Sequence, residues 1–261
     1  MKINLKGKNA FVGGSSKGIG KAIAKKLAKA GANIFLVARD RKKLEKVLIE
    51  LDQTKGQKHR SVIVDFSKYN NYSILIKSFF KDNNVDILVN NTQGPPSGGP
   101  LEKKIDDYQS GFDLLFKCAI LNTTLALPYM QNEKWGRIIN VSSISVKEPI
   151  NSLVLSNSLR AALVTWAKSL SFEIGKDNIT INNILTGYFD TERINKLNIT
   201  KAKQLNKPVS EILAEIKNSI PLNRLGRPEE YANLVCFLAS NEASYITGTN
   251  IPIDGGILKS F

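Results

Sequence analysis

The chain is poor in sulfur, has one imidazole and lacks long apolar runs, and each shortage removes a class of function. Cysteine occurs twice, at Cys118 and Cys236, in apolar helical surroundings with no C-x-x-C spacing. The pair reads as buried thiols in a reducing compartment, neither a disulfide nor zinc ligands, and the expected location is the cytoplasm. The only histidine, His59, precedes the third predicted strand, at the end away from the expected site, and reads as structural or solvated. No apolar run approaches the length needed to cross a bilayer. The opening "MKINLKGKNAFVGG" has no apolar stretch behind its lysines and does not read as a secretory signal. Internal repeats and low-complexity segments are not seen.

Acidic residues are also short, 23 Asp and Glu against 37 Lys and Arg, for a net charge of +14. Basic surfaces bind phosphate chains through counterion release, so nucleic acid is a candidate partner. Against it, the lysines are spread over every predicted helix. The densest cluster, "RDRKKLEK" from Arg39 to Lys46, has no aromatic residue for base stacking. No helix-turn-helix or finger spacing occurs. A lysine-rich solvated surface is the preferred reading, and nucleic acid is not an expected partner.

What is present is order. A chain of 261 residues with 42% hydrophobic content suits one α/β domain spanning residues 1–261. "NAFVGG", "NIFLVA", "SVIVDF", "VDILVN", "GRIINVSS", "NITINNIL" and "TNIPID" read as short buried strands. Between them run helical patterns: one from Gly18 ended by Gly31, then "RKKLEKVLIELDQ", Tyr69–Lys81, Ile105–Met130, Leu153–Ile174 and Pro228–Ala239. Strand–helix alternation of this kind predicts a doubly wound, Rossmann-type parallel sheet. The polar, lysine-rich stretch 191–221 reads as an excursion outside that sheet, either a lid or a plain surface insertion.

"GGSSKGIG" lies between the first strand and its helix, where glycines 14, 18 and 20 let backbone approach a pyrophosphate at a helix N-terminus. The second strand ends "VARDR", with Arg39 where NAD sites usually place an acid. Arg39, with Lys17, suits a 2′-phosphate, so NADP(H) is favoured over NAD(H). Asp40 takes the acidic role if the register shifts by two, and both cations are also consistent with ordinary surface charge.

These motifs resemble those of the classical short-chain dehydrogenase/reductase family, most closely its β-ketoacyl carrier-protein reductase-like members, over nearly the whole chain. "GGSSKGIG" is similar to the family's G-x-x-x-G-x-G loop, with Gly13 in place of a usual threonine. The resemblance implies cofactor contacts from Gly14, Ser16, Lys17, Gly18, Ile19 and Gly20. It implies adenine contacts from Asp65 and Phe66. "VNNTQG" resembles the N-N-A-G turn and implicates Asn91 and Thr92. "ILTGYFDT" resembles the P-G segment beside the nicotinamide, with Thr186 for proline, and implicates Phe189 and Thr191.

The resemblance breaks at the catalytic positions. The family uses Ser, Tyr and Lys, plus an Asn from the preceding long helix. Counting from Ser143, the tyrosine position holds Ser156 and the lysine position Arg160. The asparagine position falls on Ala119 counted from Phe112, and on Leu115 counted from Pro128. Asn122 fits neither register. A serine hydroxyl is a far weaker acid than a phenol, whose pKa near ~10 a neighbouring cation can lower. Arg160 is permanently protonated and relays no proton, but it binds anions bidentately. Tyr188 is the best alternative phenol; Lys147 and Glu148 border the same expected cleft. "GPPSGGP", Gly94 to Pro100, either shapes a pocket or merely connects two elements.

The expectation is therefore an NADP(H)-dependent oxidoreductase acting on a small carbonyl or alcohol through Ser143, Ser156, Arg160 and Tyr188. The alternative is a catalytically inactive dinucleotide-binding sensor or assembly protein. No metal site is expected. In the family the two long helices pack between subunits, which implies a homodimer or homotetramer.

Overall fold

The computed structural model describes residues 3–260. Seven strands, β1 (Asn9–Gly13), β2 (Asn33–Ala38), β3 (Arg60–Ile63), β4 (Ile87–Asn90), β5 (Gly136–Val141), β6 (Ile179–Thr186) and β7 (Asn250–Ile253), form one sheet. Their order is β3-β2-β1-β4-β5-β6-β7, with every pairing parallel. A sheet covered on both faces favours apolar strands, which is why Ala10–Val12 of β1 and Ile87–Val89 of β4 read as unbroken apolar runs.

The nine α-helices of the described residues are α1 (Gly18–Ala30), α2 (Arg41–Ile49), α3 (Tyr69–Asp82), α4 (Ile105–Phe112), α5 (Cys118–Asn132), α6 (Val154–Ile174), α7 (Glu192–Leu205), α8 (Val209–Ser219) and α9 (Pro228–Leu238). Ile23, Leu27, Leu44, Val47 and Val235 place α1, α2 and α9 over one face. Tyr72, Ile76, Cys118, Leu155 and Leu159 place α3, α5 and α6 over the other.

Gly31 ends α1 in the left-handed conformation at φ 109°, as its position predicts. α2 stops at Ile49, short of the expected Gln53. Beyond it the Asp52 carboxylate accepts from both the N–H and the hydroxyl of Thr54, a local turn that competes with another helical turn. The excursion at 191–221 is not irregular: it folds into α7 and α8, whose Ala202, Ile212 and Ile216 make a small core of their own with Ile220.

The helix predicted over Ile105–Met130 is interrupted by a π-helical turn at Asp113–Lys117. A π turn locally shifts the register of the α repeat, and Leu115, one of the two residues counted as the asparagine position, lies within it. One correction follows. The run Ile105–Asn132, 28 residues, is long and apolar enough by length and composition to span a bilayer. Its Leu114, Cys118, Ala126 and Met130 are instead buried against the sheet.

A line of asparagines crosses the sheet on the α3–α6 face. Asn90, Asn140, Asn183 and Asn250 are in-register partners on β4, β5, β6 and β7. Asn90 donates to Asn140 Oδ1 at 2.9 Å, Asn140 to Asn183 at 2.8 Å, and Asn183 to Asn250 at 2.8 Å. Asn122 extends the line, donating to Asn90 Oδ1 at 3.1 Å and accepting the Tyr72 phenol. Buried amides in apolar layers are tolerated when each finds a partner, and here every link supplies one.

His59 lies away from the site, as expected. Its Nδ1 accepts from the Ile34 N–H at 3.1 Å, which fixes the proton on Nε2, 2.9 Å from the Asp52 carbonyl. Cys118 and Cys236 are both buried and unpaired.

Candidate active site

Where the strand order reverses, between β1 and β4, the C-terminal edge of a doubly wound sheet opens a crevice. Here that crevice is a groove of ≈ 570 Å³. Its floor is the loop from β1 into α1. Gly14 turns that loop at φ 58°, and a Cβ at Gly20 would meet the Gly14 carbonyl oxygen at 2.3 Å. The loop is fastened to β4 by Asn91, which donates to the Gly13 carbonyl at 2.9 Å. α1 has no side-chain cap and no acid in its first turn, so its first N–H groups are free to meet an anion. Gly14, Ser16, Lys17, Gly18, Ile19, Gly20, Asn91, Thr92 and Thr191 all line the groove.

The end of the groove to which the resemblance assigns the adenosine is formed by Ala38, Arg39, Val64, Asp65 and Phe66. Arg39 is largely exposed, 3.9 Å from Asp65. Burial pushes the Asp65 carboxyl up, but the two Ser67 hydrogen bonds and the Arg39 charge outweigh it and hold the group below its usual value. Asp40 is not part of this end: its carboxylate caps α2 by accepting from the Lys43 N–H at 3.1 Å. The acidic alternative for the second strand is thereby withdrawn, and the residues present fit a dinucleotide carrying a 2′-phosphate.

The other end is closed by α7, in the stretch the sequence left open between a lid and a surface insertion. Thr191 caps that helix, and its methyl packs on the glycine loop, 3.4 Å from where a Gly18 Cβ would stand. Glu192 pairs with Lys17. Arg193 reaches the opposite bank and donates to the carbonyls of Gly94 and Pro95 at 3.3 and 3.2 Å. Arg193, Lys196, Leu197 and Thr200 line the groove at helical spacing, a pattern visible once 191–205 is read as a helix. The "GPPSGGP" loop contributes Gly94 through Ser97 and so shapes the cavity.

The four catalytic candidates are not gathered in this groove. Ser143 caps a short 3-10 turn, its Oγ accepting from the Ser145 N–H at 3.1 Å. Ser156 is buried on α6. Arg160, one turn on, donates to the Val141 carbonyl at the end of β5. It faces a void of ≈ 10 Å³ lined also by Asn90, Thr92, Leu115, Ala119 and Asn122. Both residues counted as the asparagine position thus border Arg160, while Asn122 serves the sheet. Burial, with the charge of Arg193, pushes the Arg160 guanidinium down to about 10, against the Tyr231 phenol, and it stays protonated at neutral pH.

Tyr188 does not join them. It packs on the α7–α8 core and lines a separate cavity of ≈ 140 Å³ with Leu222, Arg224 and Asp254. Burial raises its pKa, which makes it a weaker acid. Phe189 is likewise turned into the core, edge-on to Tyr231 at 5.3 Å, and is not a groove residue. Glu148 holds the C-terminal segment by accepting the N–H groups of Lys259 and Ser260, and Lys147 is exposed. Thr186, in the proline position, lies 3.1 Å from the Tyr231 hydroxyl. Among the described residues no cluster of metal ligands occurs.

Groove, loop and strand order point the same way as the sequence profile described as enoyl-(acyl carrier protein) reductase, which matches residues 14–258. The chain is a short-chain dehydrogenase/reductase. It is 34% identical over 259 residues to the NADPH-dependent reductase BacG of Bacillus subtilis, covering 97% of this chain and 98% of that one. It is 31% identical over 258 residues to the 3-oxoacyl-[acyl-carrier-protein] reductase FabG of Aquifex aeolicus, covering 98% and 100%. Among solved structures, L-sorbose reductase from Gluconobacter frateurii, complexed with NADPH and L-sorbose, superposes with a TM-score of 0.91 at 32% identity over 100% of both chains. YwfH, an NADPH-dependent reductase involved in bacilysin biosynthesis, gives 0.91 at 31% over 97% and 99%. The family is one of dinucleotide-dependent oxidoreductases, and this short-chain dehydrogenase/reductase has a groove that fits such a dinucleotide.

Proposed function

We propose that the protein is an NADP(H)-dependent oxidoreductase that acts on a small carbonyl or alcohol substrate through an atypical site containing Ser143, Ser156 and Arg160. The observation that carries the cofactor half is the groove: an uncapped helix N-terminus under a glycine loop, with Arg39 and Lys17 at its sides. NADPH, when bound, supplies the hydride. The chain's own residues do the rest. Lys17 and Arg39 bind phosphate, Thr191 and α7 cover the groove, and the Ser143 and Ser156 hydroxyls orient a carbonyl. None of these is an acid near pH 7, so the proton comes from water at a reduced rate. Hydride transfer depends chiefly on the posed nicotinamide.

The second reading is a dinucleotide-binding protein without turnover, a sensor or a member of an assembly. It is favoured by one observation: Ser143, Ser156 and Arg160 do not line the groove. NADPH fluorescence on titration, followed by NADPH oxidation with a panel of ketones and aldehydes, separates the two. Binding without turnover removes the oxidoreductase reading, and absence of binding removes both.

We also infer a cytoplasmic homodimer or homotetramer. Phe112 stacks on Phe116 at 5.0 Å and Phe116 meets Trp166 edge-on at 6.5 Å, all three half-buried on α4–α6, and Phe172 is 76% exposed. A monomer in sedimentation velocity would remove the oligomer.

A further inference from the structure

The turn that carries β6 into α7 is gripped by the start of α9, and the grip includes a pair of hydroxyls. Thr186 ends β6, at the position where the family carries proline. Its Oγ1 lies 3.1 Å from the phenol oxygen of Tyr231, in the first turn of α9. Tyr231 is 0% exposed, and among the described residues Thr186 is the one hydrogen-bond partner of its hydroxyl. The Tyr231 ring also meets Phe189 edge-on at 5.3 Å. Phe189 lies so close on Gly226 that a Cβ there would come within 2.7 Å of the ring. Backbone bonds complete the grip: the Gly226 N–H donates to the Tyr188 carbonyl at 2.9 Å, and the Asp190 N–H to the Gly226 carbonyl at 2.8 Å. The next residue, Thr191, caps α7 and sets its methyl against the glycine loop at Gly18.

A proline at 186 would fix φ through its own ring. Threonine leaves that angle free, so the turn needs an outside constraint. A buried phenol needs a partner in turn, because an orphaned hydroxyl in an apolar layer is costly. Each residue therefore answers the other's need. The start of α9 is itself well anchored, since Glu230, beside Tyr231, takes two bonds of 2.8 Å from Arg224 and one from the Arg227 N–H. The far side of α7 is held more loosely. Its contacts across the groove are the exposed pair of Glu192 with Lys17 and the bonds of Arg193 to the Gly94 and Pro95 carbonyls at 3.3 and 3.2 Å. Placement of α7 thus comes chiefly from its root.

We propose that Thr186 and Tyr231 are a positioning pair for the cofactor: their hydroxyl bond sets the turn that seats Thr191 and α7 over the groove, and so raises the affinity for NADP(H). The inference rests on the reading of the groove as an NADP(H) site. Tyr231, fully buried, acts without touching the dinucleotide. A ligand that needs α7 in place binds in proportion to the fraction of molecules in which it is placed.

The test is NADPH fluorescence titration together with amide hydrogen exchange over 194–205, both on the full chain. Tyr231→Phe removes one oxygen and keeps the ring on Phe189. It is expected to weaken NADPH roughly threefold to tenfold, the worth of one hydrogen bond between neutral groups. Exchange over 194–205 is expected to quicken by a similar factor, while the β1 and β4 amides stay protected. Thr186→Val, at a half-buried position, repeats both losses. Adding Thr186→Pro to Tyr231→Phe recovers most of the affinity, whereas Thr186→Pro alone strands the phenol and binds more weakly than the double variant. Unchanged NADPH affinity in Tyr231→Phe overturns the proposal. So does a loss that Thr186→Pro fails to recover and that comes with faster exchange across the sheet, because Tyr231 then only holds the core together. If the unmodified chain binds no NADPH, the reading of the groove falls, and exchange alone decides the pair. Quickening confined to 194–205 in Tyr231→Phe keeps the hydroxyl bond as the anchor of α7, and unchanged exchange removes it.

Discussion

The Arg160 guanidinium donates to the carbonyl of Val141, two residues before Ser143, and so ties α6 to the end of β5. Ser156 sits one turn before it, buried on the same helix. On the proposed reading, these two positions are where the family presents a proton donor and its tuning cation. The Ser156→Tyr, Arg160→Lys double variant restores a phenol beside a cation. A positioned general acid contributes roughly 10²–10⁴-fold, so kcat/KM for NADPH oxidation by ketones is expected to rise at least tenfold. An unchanged rate would place the limit on the lost asparagine, at Leu115 or Ala119, rather than on the acid.

The asparagine line makes a prediction about stability. Asn140 is its centre, accepting from Asn90 at 2.9 Å and donating to Asn183 at 2.8 Å. Asn140→Ala leaves an amide hydrogen and an amide oxygen short of partners in a dry layer, each costing about 1–3 kcal/mol. The variant is expected to lose ~3 kcal/mol in urea unfolding. Asn250→Ala, at the exposed edge, removes only the last acceptor and is expected to lose less than ~1 kcal/mol. Equal losses at both positions would show that the amides act singly, not as a line.

Much of this architecture was legible because its signals are local. Gly31 needs a left-handed backbone, "NAFVGG" needs a covered sheet, and Gly14 needs a turn; each statement concerns neighbours in the chain. The asparagine line was not legible, since Asn90, Asn140, Asn183 and Asn250 become neighbours only through strand pairing. Gly13 is similar. A Cβ there would meet the Asn91 carbonyl oxygen at 2.3 Å, a close approach of β1 and β4 that explains why the usual threonine is missing. Motif position brought Arg39, Asp65 and Phe66 to one end of the groove. A lid was one of two readings of 191–221, but its helical form was missed because "ERINKLNITKAKQL" is polar enough to pass for a loop, although Arg193, Lys196 and Thr200 recur at helical spacing. Tyr188 was misplaced for another reason: its neighbours Ile212, Ile216 and Ile220 lie more than twenty residues on, in the excursion left unfolded.

Cofactor choice follows from the cations at the groove's sides. Arg39 is 61% exposed and 3.9 Å from Asp65, too loosely held to be a structural pair. A charge-assisted bond to phosphate contributes about 1.5–3 kcal/mol, so Arg39→Ala is expected to weaken NADPH at least tenfold and leave NADH within twofold. Lys17 is engaged by Glu192 in an exposed pair, which is weak, ~1 kcal/mol or less. Glu192→Gln frees Lys17 and is expected to tighten NADPH a few-fold. Fluorescence titration with both nucleotides decides it; a parallel loss of NADPH and NADH in Arg39→Ala would remove the 2′-phosphate contact.

Glu230 gives a pH dependence whose sign is fixed by its partners. Arg224 holds both carboxylate oxygens at 2.8 Å, and the Arg227 N–H donates to one of them at 2.8 Å. Together they bring its pKa to about 2, below the ordinary glutamate value near ~4.3. A carboxyl whose folded pKa is depressed contributes stability that is fully present above the unfolded value and is lost as pH falls towards the folded one. Glu230→Gln is therefore expected to unfold at lower urea than the unmodified protein at pH 7. The gap should persist to about pH 5 and narrow steadily between ~4.3 and ~2. The same residue forms the reciprocal cap of α9 and borders the cavity of Tyr188, so a lost packing contact is the competing explanation. Packing does not titrate. A gap that stays constant from pH 7 to pH 3 would assign the loss to packing and remove the ion pair from the account.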